Sequence, residues 1–130
     1  MLPQESVIPL PLLNYMKGLK THDIALIGST FADDIQFFTP AKTMSKDEIL
    51  NFLTALYNGF PDWKYEHDEP IRTEDGGYGV KWRQGGTHTG RLEFPGFEGV
   101  AATGRSVIIP EHFFYYKVVE IKLSEIRPDP

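Results

Sequence analysis

A chain of 130 residues with 41% hydrophobic and 24% charged side chains has the size and balance of one globular domain, residues 1–130, which excludes disordered, collagen-like and coiled-coil classes. Thirteen Lys and Arg against eighteen Asp and Glu give a net charge of −5 with no basic block to meet a phosphate backbone, so nucleic acid is not an expected partner, and the lack of cysteine removes disulfides, thiolate metal sites and a cysteine nucleophile. No apolar run approaches the roughly 20 residues of a bilayer span, and Pro3, Pro9 and Pro11 interrupt any secretory signal, so no membrane partner and a cytoplasmic location are expected.

Leu12, Tyr15, Met16 and Leu19 recur at helical spacing behind Pro9 and Pro11, residues tolerated in a first helical turn, which predicts a helix over residues 9–20. Asp23 is placed to cap a second helix with Ile24, Ile27 and Phe31 on its apolar face, and the short Thr21-His22 link makes the two a helical hairpin. Asp33-Asp34 ends that helix in solvent, and Ile35 to Thr39, stopped by Pro40, reads as one short strand. Ser45 with Glu48 forms a capping box ahead of Ile49, Phe52, Leu53, Leu56, Tyr57 and Phe60, the apolar face of a third helix that stops at Asn58-Gly59.

From Trp63 onward the period changes to two. Trp63, Tyr65 and His67 share one face of a strand, Asp75-Gly76-Gly77 makes a tight turn, and a hairpin partner begins at Tyr78 with Val80, Trp82 and Gln84 on one side. Gly85-Gly86 marks a weakened or bulged point just before His88. A Gly- and Pro-rich loop over Pro95–Gly104 then leads to a long strand, Arg105 to Val119, bulged at Pro110, and to a last strand over Lys122–Arg127.

Three helices and one short strand followed by a meander of long strands describe an α+β fold, with helices on one face of a strongly curved, mainly antiparallel sheet. Helices that close only part of the concave face leave a cone open at one end. The nine Phe, six Tyr and two Trp either fill that interior or line a cavity within it.

Phe31-Ala32-Asp33-Asp34, Phe60-Pro61-Asp62-Trp63, Gly86-Thr87-His88-Thr89-Gly90 and Thr103-Gly104-Arg105 follow one another in an order and spacing that resemble the SnoaL-like polyketide cyclases of the nuclear-transport-factor-2-like (cystatin-like) superfamily. The resemblance covers nearly the whole chain from about residue 9. It implies a conical scaffold and, in its enzymes, a cofactor-free ring closure in which an acid moves a proton α to a carbonyl and pocket groups stabilise the enolate. Because that scaffold carries enzymes and non-enzymes alike, the reaction has to be argued at the site.

His88 matches the family's histidine, and its parity with Val80, Trp82 and Gln84 aims it inward, where a neutral imidazole could donate to a carbonyl oxygen or relay a proton. The cyclases carry an Asp in the long strand; here the chain reads Ile108-Ile109-Pro110-Glu111-His112-Phe113-Phe114. Glu111 is the nearest carboxylate, and beyond Pro110 either Glu111 or His112 faces the cavity. An inward Glu111 would have its pKa raised by burial, whereas an outward one would pair with a surface Lys or Arg.

The ketosteroid isomerases on the same scaffold imply an Asp base at the end of the first strand, where this chain has Thr39, and a phenol donor where it has Tyr15. A threonine hydroxyl cannot replace that carboxylate. Tyr15, Phe37, Thr39, Trp63, Trp82, Gln84, Phe114 and Tyr116 are the candidate substrate-binding side chains, suited to a flat apolar ligand. His22, His67, His88 and His112 lack metal-ligand spacing, so no metal is expected, and the resemblance implies no organic cofactor.

Two functions fit this pattern. One is a cyclase or isomerase acting on a small apolar, polycyclic carbonyl compound through His88 with Glu111 or His112. The other is a non-catalytic module that binds a small hydrophobic molecule or serves as a dimeric scaffold. Phe113 and Tyr115 alternate with Phe114 and Tyr116 along the long strand, so both of its faces are apolar, which predicts a homodimer packed through the sheet.

Overall fold

The computed structural model describes residues 8–93 and 99–129. Two short helices open it, α1 (Leu10–Thr21) and α2 (Ile24–Ser29). α1 begins behind Pro9 with Pro11 in its first turn, and ends at His22, whose left-handed conformation lets its N–H and that of Asp23 close the helix. Asp23 caps α2 as expected, its carboxylate accepting from the Leu26 N–H at 3.0 Å.

α2 is shorter than its apolar spacing predicts. Phe31 belongs to β1 (Phe31–Phe38), not to the helix, and Asp33 and Asp34 stand exposed within that strand instead of ending α2. The cause is non-local: the Thr30 carbonyl accepts from the Leu123 N–H at 2.7 Å, and Phe31 pairs with Leu123 in the last strand. A hairpin then joins β1 to β2 (Thr43–Met44), a strand the sequence pattern does not reveal.

Both halves of the capping box are formed at the start of α3 (Lys46–Gly59), with the Ser45 hydroxyl accepting from the Glu48 N–H and the Glu48 carboxylate accepting from the Ser45 N–H. Ile49, Leu53 and Tyr57 turn inward from it.

The strands β3 (Lys64–His67), β4 (Ile71–Arg72), β5 (Tyr78–Thr87), β6 (Ser106–Val119) and β7 (Lys122–Pro128) complete a seven-stranded sheet of order β2-β1-β7-β6-β5-β3, with β4 also on β5. All pairings are antiparallel except β1 with β7. Three helices packed on a large curved sheet make this the expected α+β cone.

The Gly85-Gly86 bulge does not occur. Both residues lie in regular register opposite Ile108 and Val107. They answer a spatial need instead, since a Cβ at Gly85 would sit 2.6 Å from the Val107 carbonyl oxygen and one at Gly86 would sit 2.9 Å from the Trp63 ring. The irregularity lies opposite: between Trp82↔His112 and Gln84↔Ile109 the long strand carries one extra residue, in the stretch that holds Pro110. Of the predicted loop over Pro95–Gly104, residues 95–98 fall outside the described residues. Within the described residues no helix is long and apolar enough to cross a membrane.

Candidate functional site

His88 continues the β5–β6 ladder one step past Thr87↔Ser106, donating its N–H to the Arg105 carbonyl (2.9 Å) while its own carbonyl accepts from the Gly104 N–H (2.8 Å). The inward parity of β5 therefore persists, and the imidazole is buried, 6% exposed, in a stack on Phe60 with ring centroids 5.2 Å apart. Two contacts pin the segment around it. The Asp62 carboxylate accepts from the Thr87 N–H at 2.7 Å, which holds that carboxyl below its ordinary range, and the Gly90 N–H donates to the Gly59 carbonyl at the end of α3.

One face of the ring is thus set by packing and one nitrogen by a hydrogen bond: Nδ1 lies 3.0 Å from Thr103 Oγ1. The other nitrogen, Nε2, is buried and has no hydrogen-bond partner among the described residues. A buried imidazole nitrogen is rarely left so, because an unmade hydrogen bond to a desolvated polar atom costs about 1–3 kcal/mol. Unpartnered buried polar atoms are the kind of cost that folds retain at sites where something else binds.

Beyond His88 the concave face is filled with aromatic rings. Tyr15 from α1 packs on Tyr116 of β6 (5.5 Å), Tyr65 of β3 on Trp82 of β5 (5.6 Å), and Phe60 on Trp63 (5.3 Å). Their polar atoms find one another: Trp82 Nε1 donates to Tyr116 Oη at 2.8 Å, Tyr57 and Tyr65 share a hydroxyl pair at 2.8 Å, and Trp63 Nε1 donates to Gln84 Oε1 at 3.1 Å. Burial raises the pKa of Tyr15, Tyr57, Tyr65 and Tyr116, that of Tyr57 to about 12.

The expected substrate-binding residues therefore divide. Tyr15, Trp63, Trp82 and Tyr116 are buried in this packing, and Gln84 is occupied in holding the Trp63 indole. Phe37 and Phe114 are half-buried and meet edge to face at 6.1 Å, with His112 beside Phe114. Thr39 serves the β1–β2 turn, its hydroxyl donating to the Lys42 carbonyl and accepting from the Lys42 N–H.

The two partners considered for His88 are not beside it. Glu111 stands exposed on the outer face of the sheet, bound to Arg83 (3.0 Å) and Lys81 (3.4 Å), and these cations hold its carboxyl below the ordinary range. The inward acid with a raised pKa is thereby corrected: the extra residue near Pro110 turns Glu111 out and His112 in, opposite Trp82. His112 faces inward but pairs with position 82, six residues along β5 from His88, a path of roughly 20 Å. Among the described residues the buried polar side chains are Thr30 and His88, with no buried carboxylate, and no three His, Asp or Glu side chains converge as a metal site.

Two surface grooves lie on the sheet, one of about 480 Å³ between the β4–β5 turn and Lys117, Glu125 and Arg127, the other of about 400 Å³ beside Asp62, Arg83 and Ile108. Neither is bordered by His88.

The sequence pattern of the SnoaL-like domain matches residues 12–122, a span that includes His88, Phe60 and Thr103. The chain belongs to the SnoaL-like family. None of the curated proteins matches its sequence. Solved structures share the fold at low identity. AclR of Streptomyces galilaeus is 19% identical over 92% of this chain and 71% of its own, with a TM-score of 0.73. A candidate SnoaL-like polyketide cyclase from Jannaschia sp. CCS1 is 17% identical over 99% and 88%, with a TM-score of 0.70. TerC, co-crystallized with polyporic acid, is 14% identical over 92% and 87%, with a TM-score of 0.66.

Within this SnoaL-like chain, sequence reasoning singles out His88 but misses the groups that set it. Thr103 and Asp62 lie in the quoted motifs, yet nothing in the motifs says which atoms they bind. His22 is likewise missed: its Nε2–H donates to the Trp63 carbonyl at 2.7 Å while its ring stacks flat on Tyr57 at 3.9 Å, joining α1, α3 and the start of β3. Its position after the last turn of α1 is the only signal that could have suggested it.

Proposed function

We propose that this SnoaL-like protein is a cofactor-free cyclase or isomerase whose substrate is a small apolar carbonyl compound, and that His88 acts on the carbonyl oxygen. The buried Nε2 of His88, stacked on Phe60 and without a hydrogen-bond partner among the described residues, carries this reading. A neutral imidazole can hydrogen-bond an oxygen on which negative charge develops, the electrophilic half of an enolisation or aldol closure. The family assignment supports the reaction class; the aromatic surroundings suit an apolar substrate body.

The test is exchange of the protons α to the carbonyl in deuterated water, followed by NMR over a panel of polycyclic ketones. The expected result is exchange accelerated by the protein and reduced at least tenfold in His88→Ala with circular dichroism unchanged. Acceleration that survives His88→Ala removes His88 from the chemistry.

A second reading, a non-catalytic ligand-binding or dimeric scaffold module, is favoured by two observations. No carboxylate is buried among the described residues, and the outer face of β6 presents Phe113 stacked on Tyr115 at 5.9 Å, only half-buried, as a surface for a second copy. Binding of a ketone without exchange, together with a dimer in light scattering, would select it.

A further inference from the structure

We infer that Thr103 is the positioning residue that fixes the tautomer of His88, keeping the proton on Nε2, so that the site presents a hydrogen-bond donor and takes an acceptor such as a carbonyl oxygen. The inference deepens the function proposed above and rests on it for the identity of the acceptor, but not for the tautomer itself.

Thr103 Oγ1 has one proton to give and two lone pairs. The Arg105 N–H already donates into it at 3.3 Å, and the other contact of the hydroxyl is His88 Nδ1 at 3.0 Å. The second lone pair lets the contact run either way, but the hydroxyl proton has no other protein acceptor among the described residues, which favours donation to Nδ1 and leaves that nitrogen bare. A neutral ring with a bare Nδ1 carries its hydrogen on Nε2. Nε2 is the buried atom that has no hydrogen-bond partner among the described residues.

The backbone explains how Thr103 reaches this place. Gly104 adopts a positive φ of 72°, and its N–H donates to the His88 carbonyl while the His88 N–H donates to Arg105. That turn folds Thr103 back beneath the imidazole. The Thr-Gly-Arg motif thus supplies a hydroxyl, a left-handed turn and a strand start, all directed at one histidine. A donor at Nε2 takes an acceptor, such as a ketone or enolate oxygen, and disfavours a group that can only donate, such as an ammonium.

The tautomer is measured directly, without substrate, by long-range ¹H–¹⁵N correlation on protein carrying ¹⁵N-histidine, at a pH where the ring is neutral. The expected spectrum shows His88 Nε2 as the protonated nitrogen and Nδ1 as the bare one. Thr103→Val should convert it to a mixture or to the Nδ1–H form, and Thr103→Ser should restore the original pattern. A wild-type spectrum with the proton on Nδ1 overturns the inference, as does a folded Thr103→Val protein whose pattern is unchanged. If Thr103→Val does not fold, the wild-type spectrum still decides. The ketone exchange experiment tests the proposed reaction separately, so a correct tautomer with no exchange rejects the reaction and keeps the role of Thr103.

Discussion

Trp82 of β5 and Tyr116 of β6 share a buried hydrogen bond, the indole N–H donating to the phenol oxygen at 2.8 Å, although they stand 34 residues apart in sequence. Tyr116→Phe keeps the ring against Tyr15 and removes the hydroxyl that accepts from Trp82 and bonds Tyr15, leaving a buried N–H unmatched. The expected cost is about 1–3 kcal/mol. In urea denaturation the midpoint should fall with an unchanged slope; an unchanged midpoint would show that the bond contributes nothing.

The phenols of Tyr15, Tyr57, Tyr65 and Tyr116 make the protein sensitive to alkali. Each has its pKa raised in the folded state, Tyr57 to about 12 from an ordinary 10.0, chiefly because burial disfavours the charged form. Their contribution to stability is full below the unfolded value and is lost as pH rises through the folded one. Tyrosinate absorbance for Tyr15, Tyr57, Tyr65 and Tyr116 should therefore rise together with loss of circular dichroism above pH 10. Ionisation of these four near the ordinary value in an intact fold would contradict the packing described.

Asp62 predicts the opposite pH dependence. Its carboxylate accepts from the Thr87 N–H, and its pKa is lowered from 3.8. The stabilisation exists above the unfolded value and disappears as pH falls through the folded one. Asp62→Ala should lower the denaturation midpoint at neutral pH, and the difference from wild type should vanish well below the carboxylate range. A deficit that persists in acid would assign the effect to something other than this carboxylate.

Gly90 permits the segment carrying His88 to lie against the end of α3. A Cβ there would stand 2.0 Å from the Asn58 carbonyl oxygen, a contact with backbone that cannot give way locally. Gly90→Ala should cost about 1–3 kcal/mol, in line with overpacking elsewhere. It should also speed hydrogen exchange at the His88 N–H, as the ladder bond to Arg105 opens. Unaltered exchange would mean that the segment is held by the Asp62 and Gly104 contacts alone.

The parts of this architecture that were legible in the sequence are those decided within a few residues. The Ser45–Glu48 capping box, the Asp23 cap and the Gly76 turn each depend on neighbours close in the chain, and each formed where expected. The inward direction of His88 was legible too, because parity along one strand survives as long as the ladder stays regular. One expectation failed and one alternative stayed open for the same physical reason. Phe31 kept helical spacing with Ile27 but was claimed by Leu123, about ninety positions away, and the facing of Glu111 and His112 turned on where β6 absorbs one extra residue against β5. The environment of Nε2 was illegible for a related cause, since Phe60, Thr103 and His88 come from three separate stretches of chain.

The parallel pairing of β1 with β7 carries a consequence for the order of assembly. β7 lies between β1 and β6, so the strand furthest along the chain among those described is an interior one. While residues 122–128 remain inside the ribosome, Phe31 and Ile35 have no neighbour on that side, and the N-terminal half of the chain waits with an open apolar edge. A topology of this sort folds late and all at once, and it favours chaperone contact during synthesis over stepwise growth.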